Sequence, residues 1–291
     1  MNIDINKLKQ KKSLNELIEF GIINIDKPSG PTSFQISELV GKILYKYGVK
    51  KTSHFGTLDP KVTGVLPVAL NRACKLTGFF IGSDKEYVGI MRLHENIPLD
   101  KIKKAIEESF LGKIKQLPPL RSRVNRAERE REIKSFDILE QDENGKDFLF
   151  KTKVQGGTYI RKLIHDLGEK LGVGAHMLEL RRNKAGIFDE NESYTLYELE
   201  EFAKNEEKIK YLISPAEIVS EIYPAIEIKP EFVDRVLHGS PIYEKFLNKK
   251  QNFEIGKILS VFSGERFIGM FKVVNEGDIF AKSEFTLQDI K

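Results

Sequence analysis

The chain has 291 residues, 40% of them hydrophobic, a single cysteine and a formal net charge of +4. That length leads to an expectation of two domains, and a lone Cys74 excludes an internal disulfide and any cysteine-based zinc cluster. No apolar stretch approaches the length needed to cross a bilayer, and Met1 to Lys12 is polar and Lys-rich, so a soluble cytoplasmic protein is expected.

The charge is too mild to indicate nucleic acid by itself, but its distribution is uneven. Basic residues gather at Lys7 to Lys12, Lys46 to Lys51, Arg121 to Arg131 and Arg181 to Lys184, while acids dominate Glu190 to Glu207. Any one cluster fits a solvated face. Several of them flanking glycine-rich turns fit an RNA-binding surface better, because neutralising phosphates takes many spread cations.

In chain order, residues 1–20 read as a polar, partly helical extension. Gly21 to Asp26 is a short strand stopped by Lys27-Pro28-Ser29-Gly30-Pro31, and Thr32 or Ser33 can cap the helix that follows. Ile36, Leu39, Val40, Ile43 and Leu44 recur at helical spacing and predict one buried helix face. Next comes His54-Phe55-Gly56-Thr57-Leu58-Asp59-Pro60-Lys61-Val62-Thr63-Gly64. Glycines bracket tight backbone there, and Pro60 biases Asp59 away from the right-handed helical region, so the carboxylate is held on a turn. The apolar run Val65 to Leu70 predicts a buried strand anchoring it. By composition alone, Asp59 fits a capped turn and nothing more.

Arg72 to Phe80 reads as a short helix, and Lys85 to Leu93 alternates as a strand with Tyr87, Gly89 and Met91 on one face. An amphipathic helix over Leu99 to Phe110 is expected to end at Gly112. Leu117 to Arg126 then breaks the pattern with Pro118-Pro119 and the arginines Arg121, Arg123 and Arg126. Such a loop suits a phosphate backbone, where planar guanidinium groups make paired hydrogen bonds. Strands over Ile133 to Leu139 and Phe148 to Val154 follow, joined by the Asp142-Glu143-Asn144-Gly145 turn. Gln155 to Arg161 leaves the second of these strands and enters a helix running to about Leu171. Arg161 stands early in it, disfavoured by the macrodipole, and so calls for a carboxylate partner. Met177 to Arg182 reads as a strand delivering two arginines, and Thr195-Leu196-Tyr197-Glu198 has capping-box spacing. Beyond Ser214-Pro215 the chain turns to short strands and turns: Ala225 to Ile228, a helix from Pro230 to Leu237, Lys257 to Phe262, and Phe267 to Val274. His94, His165, His176 and His238 lack metal-ligand spacing and read as structural or surface residues.

Five stretches, in this order, carry a resemblance: Asp26 to Ser33, His54 to Gly64, Lys85-Glu86-Tyr87, Gly157-Thr158-Tyr159-Ile160-Arg161, and Leu180-Arg181-Arg182. Together they resemble the TruB family of RNA pseudouridine synthases from about Gly21 to Glu198. The final module is more loosely similar to a PUA RNA-binding domain. Pro118-Pro119 with Arg121 to Arg131, and Gly172 to Met177, most resemble the archaeal and eukaryotic dyskerin branch; absence of long lysine-rich tails suggests the archaeal version. The resemblance implies an α/β (α+β) pseudouridine synthase fold: a mixed, largely antiparallel central sheet flanked by helices over residues 21–220, plus a small β-rich PUA domain over residues 221–291.

It also implies the chemistry. Uridine is detached from ribose at nitrogen, rotated and rejoined through carbon. Asp59 matches the catalytic aspartate, whether it attacks the sugar or removes a sugar proton. Arg161 matches its partner, an opposite charge that favours the ionised carboxylate. Tyr87 matches the tyrosine that stacks on the flipped base and assists proton removal at carbon. His54 matches a residue beside the extruded nucleotide, Leu180 the apolar wall of the uracil pocket, and Lys27 and Arg181 phosphate or support contacts. Phe55 departs from the pattern, standing where a small residue is expected, and could crowd the turn. No cofactor or metal is called for: nothing resembles a Walker loop, a dinucleotide fingerprint or HExxH. The implied partners are RNA (box H/ACA guide RNA, rRNA, tRNA) and H/ACA core proteins: a zinc-ribbon-type small subunit, a Gar-type subunit and a kink-turn-binding protein. The alternatives are a stand-alone enzyme for uridine 55 of the tRNA TΨC arm and a non-catalytic RNA-binding scaffold.

Overall fold

A computed structural model describes residues 1, 3–118 and 127–290 of the chain; Arg121 and Arg123 of the predicted phosphate-binding loop lie outside them. Residues 21–215 fold into a ten-stranded sheet. Its strands are β1 (Gly21–Lys27), β2 (Thr52–His54), β3 (Thr63–Leu70), β4 (Lys85–Leu93), β5 (Gly112–Gln116), β6 (Arg129–Gln141), β7 (Asp147–Val154), β8 (Ala175–Ala185), β9 (Phe188–Asp189) and β10 (Ile213–Pro215). The order is β10-β1-β3-β8-β4-β7-β6-β5, with β2 added to β3 and β9 to β8. Pairing is antiparallel except between β3 and β8, so the sheet is mixed and largely antiparallel as expected.

That one parallel junction sits at the centre of the site. Gly64 of β3 is opposite Arg182 of β8, which is opposite Tyr87 of β4, while Lys27 of β1 flanks Gly64 from the other side. One row across four strands therefore holds three cations or aromatics of the predicted motifs. It is assembled from segments more than a hundred residues apart.

Helices α1 (Ile5–Lys11), α2 (Leu14–Glu19), α3 (Ser33–Ile43), α4 (Thr77–Ile81), α5 (Leu99–Ser109), α6 (Ile160–Leu171), α7 (Leu196–Phe202) and α8 (Glu206–Leu212) cover the sheet. Thr195 caps α7 in the capping box with Glu198 that its spacing predicts; Thr32 caps α3, in a further box with Gln35, and Ser13 caps α2 in a third with Glu16. Ile36 and Val40 of α3 pack with Ile23, Ile25, Leu66 and Val68 in one cluster, while Leu163, Ile164 and Leu167 of α6 join Met91 and Phe150 in a second.

The predicted helix over Arg72 to Phe80 is a 3-10 turn followed by the short α4. Gly112 opens β5 rather than merely ending α5, a strand hidden from the sequence because Lys113 and Lys115 leave it almost no apolar face.

The N-terminal residues do more than extend the chain. Leu17, Ile18 and Phe20 are fully buried, and Phe20 stacks on Phe267 and Phe285 of the C-terminal module. That module is a five-stranded sheet of β11 (Ala225–Glu227), β12 (Ile242–Tyr243), β13 (Ile258–Ser263), β14 (Arg266–Glu276) and β15 (Ile279–Thr286), with α9 (Val233–Leu237) against it. The chain passes into it through a 3-10 turn at Ala216–Glu221. A continuous apolar cluster from Phe20 and Phe55 through Val219 to Phe262, Met270 and Leu287 joins the two sheets.

Candidate active site

The turn bearing Asp59 is held from below by buried side chains. Ser33 Oγ donates to the Leu58 carbonyl at 3.0 Å and accepts the Leu58 amide at 2.8 Å, fixing the residue just before Asp59. Lys27 is fully buried and its ammonium donates to the carbonyls of Pro28, Pro60 and Val62 at 2.8–2.9 Å. Three protons on three carbonyls leave none for a phosphate, so Lys27 supports the turn. Burial pushes its pKa down, and the nearby Asp59 carboxylate pushes the other way.

Arg182, also buried, donates from Nε to the Val65 carbonyl at 2.8 Å and from Nη2 to the Gly56 carbonyl at 3.0 Å, gripping the turn at both ends. Gly64 takes a φ of +99°, and a Cβ there would lie 2.3 Å from the Arg182 carbonyl oxygen. Only glycine meets both demands. Lys85 completes the buried cations. It donates to the carbonyls of Ile81 and Ser83 at 2.7 and 2.5 Å, and burial, reinforced by the Arg182 charge, brings its pKa down to about 8.

Above this scaffold Asp59 is exposed, and its Oδ2 lies 2.7 Å from Arg161 Nη2, with 48% and 59% of the two side chains in solvent. Arg161 is the second residue of α6, and the carboxylate partner that its position demanded is Asp59. Tyr87, 8% exposed, packs in one cluster with Leu58 and Val62 from the turn, Ile160 beside Arg161, and Leu180. The carboxylate, guanidinium, ring and apolar wall thus share one locality.

His54 ends β2, its Nε2 3.2 Å from Thr57 Oγ1. Burial and then the Arg182 charge lower its pKa, which keeps the imidazole neutral at pH 7. Arg181 points elsewhere: it makes a paired contact with Asp26 at 2.9 and 3.0 Å and bonds Glu190 at 2.8 Å, tying β8 to β1. Phe55 does not crowd the turn. It is buried on the opposite side, stacked on Phe80 at 4.4 Å and near Phe188.

Ser33, Lys85 and Arg182 went unnoticed as site residues. Ser33 read only as a cap, Lys85 as a strand end, and Arg182 as the twin of Arg181; nothing local says which of two adjacent arginines turns inward. Cys74 is half-buried with its thiol pKa raised to about 11 by burial, consistent with a packed thiol.

Residues 44–160 match the TruB family pseudouridylate synthase N-terminal domain, and residues 161–220 match the tRNA pseudouridylate synthase B C-terminal domain. A "Probable tRNA pseudouridine synthase B" of Methanopyrus kandleri is 42% identical over 261 residues, covering 87% of this chain and 75% of that protein. One of the same name in Pyrococcus abyssi is 46% identical over 79% of this chain and 69% of its own. In three dimensions, a chain in the crystal structure of a Cbf5-Nop10-Gar1 complex superimposes with a TM-score of 0.88 at 36% identity, covering 97% of this chain and 89% of that one. A chain of an H/ACA RNP bound to a substrate RNA containing 2'-deoxyuridine gives 0.85 at 34% identity over the same shares. Fold and relatives define an enzyme that isomerises uridine in RNA. The chain belongs to the TruB family of pseudouridine synthases.

Proposed function

We propose that the chain converts uridine to pseudouridine through Asp59, Tyr87 and Arg161, as the catalytic subunit of a guide-directed H/ACA particle acting on ribosomal RNA. The activity itself follows from the family; the residues and the guide are the proposal. The observation that carries the site is the exposed Asp59–Arg161 pair at 2.7 Å beside the Tyr87–Leu180 cluster. A stabilising ion pair has no need to face solvent on a turn gripped by two buried cations, Lys27 and Arg182, whereas a carboxylate that must meet a sugar does.

In this reading the target nucleotide is extruded from its stack, at a cost of about a few kcal/mol, and neutral His54 helps hold it out. Asp59, kept in place by Arg161, attacks the sugar or removes a sugar proton as the bond from ribose to nitrogen breaks. The freed base rotates against the Tyr87 ring and the Leu180 side chain, which offer contacts tolerant of its orientation. A new bond from ribose to carbon forms as the Asp59–sugar bond breaks or Asp59 returns the sugar proton; the proton on that carbon then leaves with help from Tyr87, and the freed ring nitrogen takes one up. Lys27, Ser33 and Arg182 keep the carboxylate where the chemistry needs it.

The guide-directed role is supported by likeness over 97% of this chain, the second sheet included, to chains from H/ACA complexes. That sheet, residues 221–291, would act as a PUA-like grip on a guide RNA stem. A Nop10-like zinc-ribbon subunit, a Gar-type subunit and a kink-turn-binding protein would complete the particle, in an archaeal cytoplasm. The second reading, a stand-alone enzyme for uridine 55 of tRNA, is favoured by the names of the relatives.

One experiment separates them. Purified protein receives a uridine-labelled tRNA arm, and separately a guide–target RNA pair with partner proteins, and pseudouridine is scored in each. Product in the guided reaction alone supports the first reading, product on bare tRNA the second. RNA bound without product in either sinks the residue assignments with the activity. Asp59→Asn should still bind RNA and give no product; turnover by that variant removes Asp59 from its role.

A further inference from the structure

Beyond the catalytic turn, one basic surface is built more rigidly than solvation requires. The C-terminal half of α3, the turn at Tyr45 to Lys51 and β2 enclose a groove of about 580 Å³ lined by Glu38, Lys42, Tyr45, Lys50, Lys51 and Thr52. Lys42, Lys50 and Lys51 are exposed, as is Lys46 beside them, and none of the four makes an ion pair among the described residues. Lysines elsewhere on this sheet behave differently: Lys113, Lys115 and Lys134 each meet a carboxylate at 2.5–3.4 Å. Tyr45 presents a ring that is 74% exposed.

The backbone of Lys50 and Lys51 is also held in place. Asn71 adopts a φ of +42°, the one non-glycine residue with positive φ among those described. Its Oδ1 accepts the amides of Lys50 and Lys51 at 2.8 and 3.2 Å, while its Nδ2 donates to the carbonyls of Gly48 and Ile18. Strained backbone of this kind costs about 1–3 kcal/mol and persists where the surroundings hold it. Here it fixes the spacing of two adjacent cations at the entry to β2.

The groove leads to the catalytic turn. Thr52, which lines it and bonds the Ser37 carbonyl, shares a face of β2 with His54 two residues on, about 7 Å along the strand. A chain of phosphates leaving the Asp59 site past His54 would meet Thr52, then Lys51, Lys50 and Lys42.

We propose that this groove is a binding track for the sugar–phosphate backbone of the RNA flanking the target uridine, with Lys42, Lys50 and Lys51 on phosphates and Tyr45 stacking on a base. Exposed point charges without carboxylate partners fit a polyanion, and an exposed ring beside them fits single-stranded nucleotides. Glu38 is the lone acid of the lining and sets the far limit of the track. The proposal rests on RNA being the substrate, and it assigns the path by which that RNA leaves the site.

The test is direct binding of the uridine-bearing RNA across a salt series. The triple variant Lys42→Gln, Lys50→Gln, Lys51→Gln removes charges from exposed positions and leaves the fold intact. Each lost phosphate contact lowers the slope of log affinity against log salt by about 0.7–0.9, so the variant should lose roughly two to three units of slope and bind on the order of a hundredfold more weakly near 0.1 M salt. A control, Lys101→Gln, Lys103→Gln, Lys104→Gln on α5, makes the same change in net charge and should bind as the wild type does. Unchanged affinity and slope in the groove variant overturn the proposal, as does an equal loss in the control. RNA affinity retained while binding to an acidic partner protein collapses also overturns it. Because the readout is binding, failure of the wild type to form pseudouridine would sink the isomerase reading separately.

Discussion

Asp59 and Arg161 meet at 2.7 Å with about half of each side chain still in water, so their attraction is screened and contributes little to folding. Arg161→Ala should lower unfolding free energy by less than about 1 kcal/mol, yet cut pseudouridine formation about a hundredfold or more, because a charge aimed at a reacting group acts where water is excluded by substrate. Denaturation and single-turnover assays on one preparation check the split; a large stability loss with modest activity loss would make the pair structural. Lys85 works in the reverse sense. Its ammonium is buried with a pKa of about 8 against an ordinary 10.5, so the unfolded state binds more protons between those values and stability rises with pH across the window. Measured against Lys85→Met, the wild type should gain about 3 kcal/mol of unfolding free energy from pH 8 to pH 10.5. A flat difference would mean the ammonium is not desolvated.

At the scale of elements, the Asp59 turn is a strand-to-strand connection whose two ends are clasped by one side chain from a third strand. Arg182 holds the Gly56 and Val65 carbonyls, and Gly64 lies so close to the Arg182 backbone that any Cβ would collide with it. Gly64→Ala therefore combines a left-handed φ with a 2.3 Å clash against backbone that cannot swing away. It should cost about 2 kcal/mol or more and reduce turnover, by opening the β3–β8 junction under Asp59. Chemical denaturation reads the first effect. Wild-type stability in that variant would show that the parallel junction yields, and that the turn is less rigid than its contacts indicate.

Over the whole molecule, the N-terminal residues bind the two sheets together. Lys12, on the short link between α1 and α2, pairs at 2.8 Å with Glu217, which is 2% exposed in the turn leading to the second sheet, and Lys11 reaches Glu265 beyond it. Burial raises the Glu217 carboxyl pKa, with the Lys12 charge opposing it. The folded state then holds that proton more tightly than the unfolded one, so this group's contribution falls as pH rises above about 4.5. Lys12→Met should destabilise by about 3 kcal/mol or more at neutral pH, less near pH 4, because it strands a buried carboxylate. Thermal unfolding between pH 4 and pH 8 measures it, and a pH-independent loss would assign the effect to packing alone.

Periodicity and turn chemistry located most of the central strands and helices, the caps of α3 and α7 and the constrained turn at Asp59, because each is set by residues within a few positions of one another. The demand of Arg161 for an anion was equally local, since a cation at a helix start is unfavourable wherever the helix lies. Strand β5 escaped because Lys113 and Lys115 charge one face and Ile114 is the lone aliphatic side chain of the other, β12 because two residues carry no alternation, and β15 because Lys282, Ser283 and Glu284 interrupt its apolar residues. What the tertiary structure decided is the inward side of the site: that Arg182 turns under the turn while Arg181 pairs with Asp26, that Lys27 supports backbone, that Phe55 packs away from Asp59, and that Leu17, Ile18 and Phe20 belong to a core. These depend on register across strands more than a hundred residues apart, and a one-residue slip would exchange the two arginines. The sequence by itself determined which chemical groups are present and which turns hold them; the pairing of β3 with β8 determined which of them face the same carboxylate.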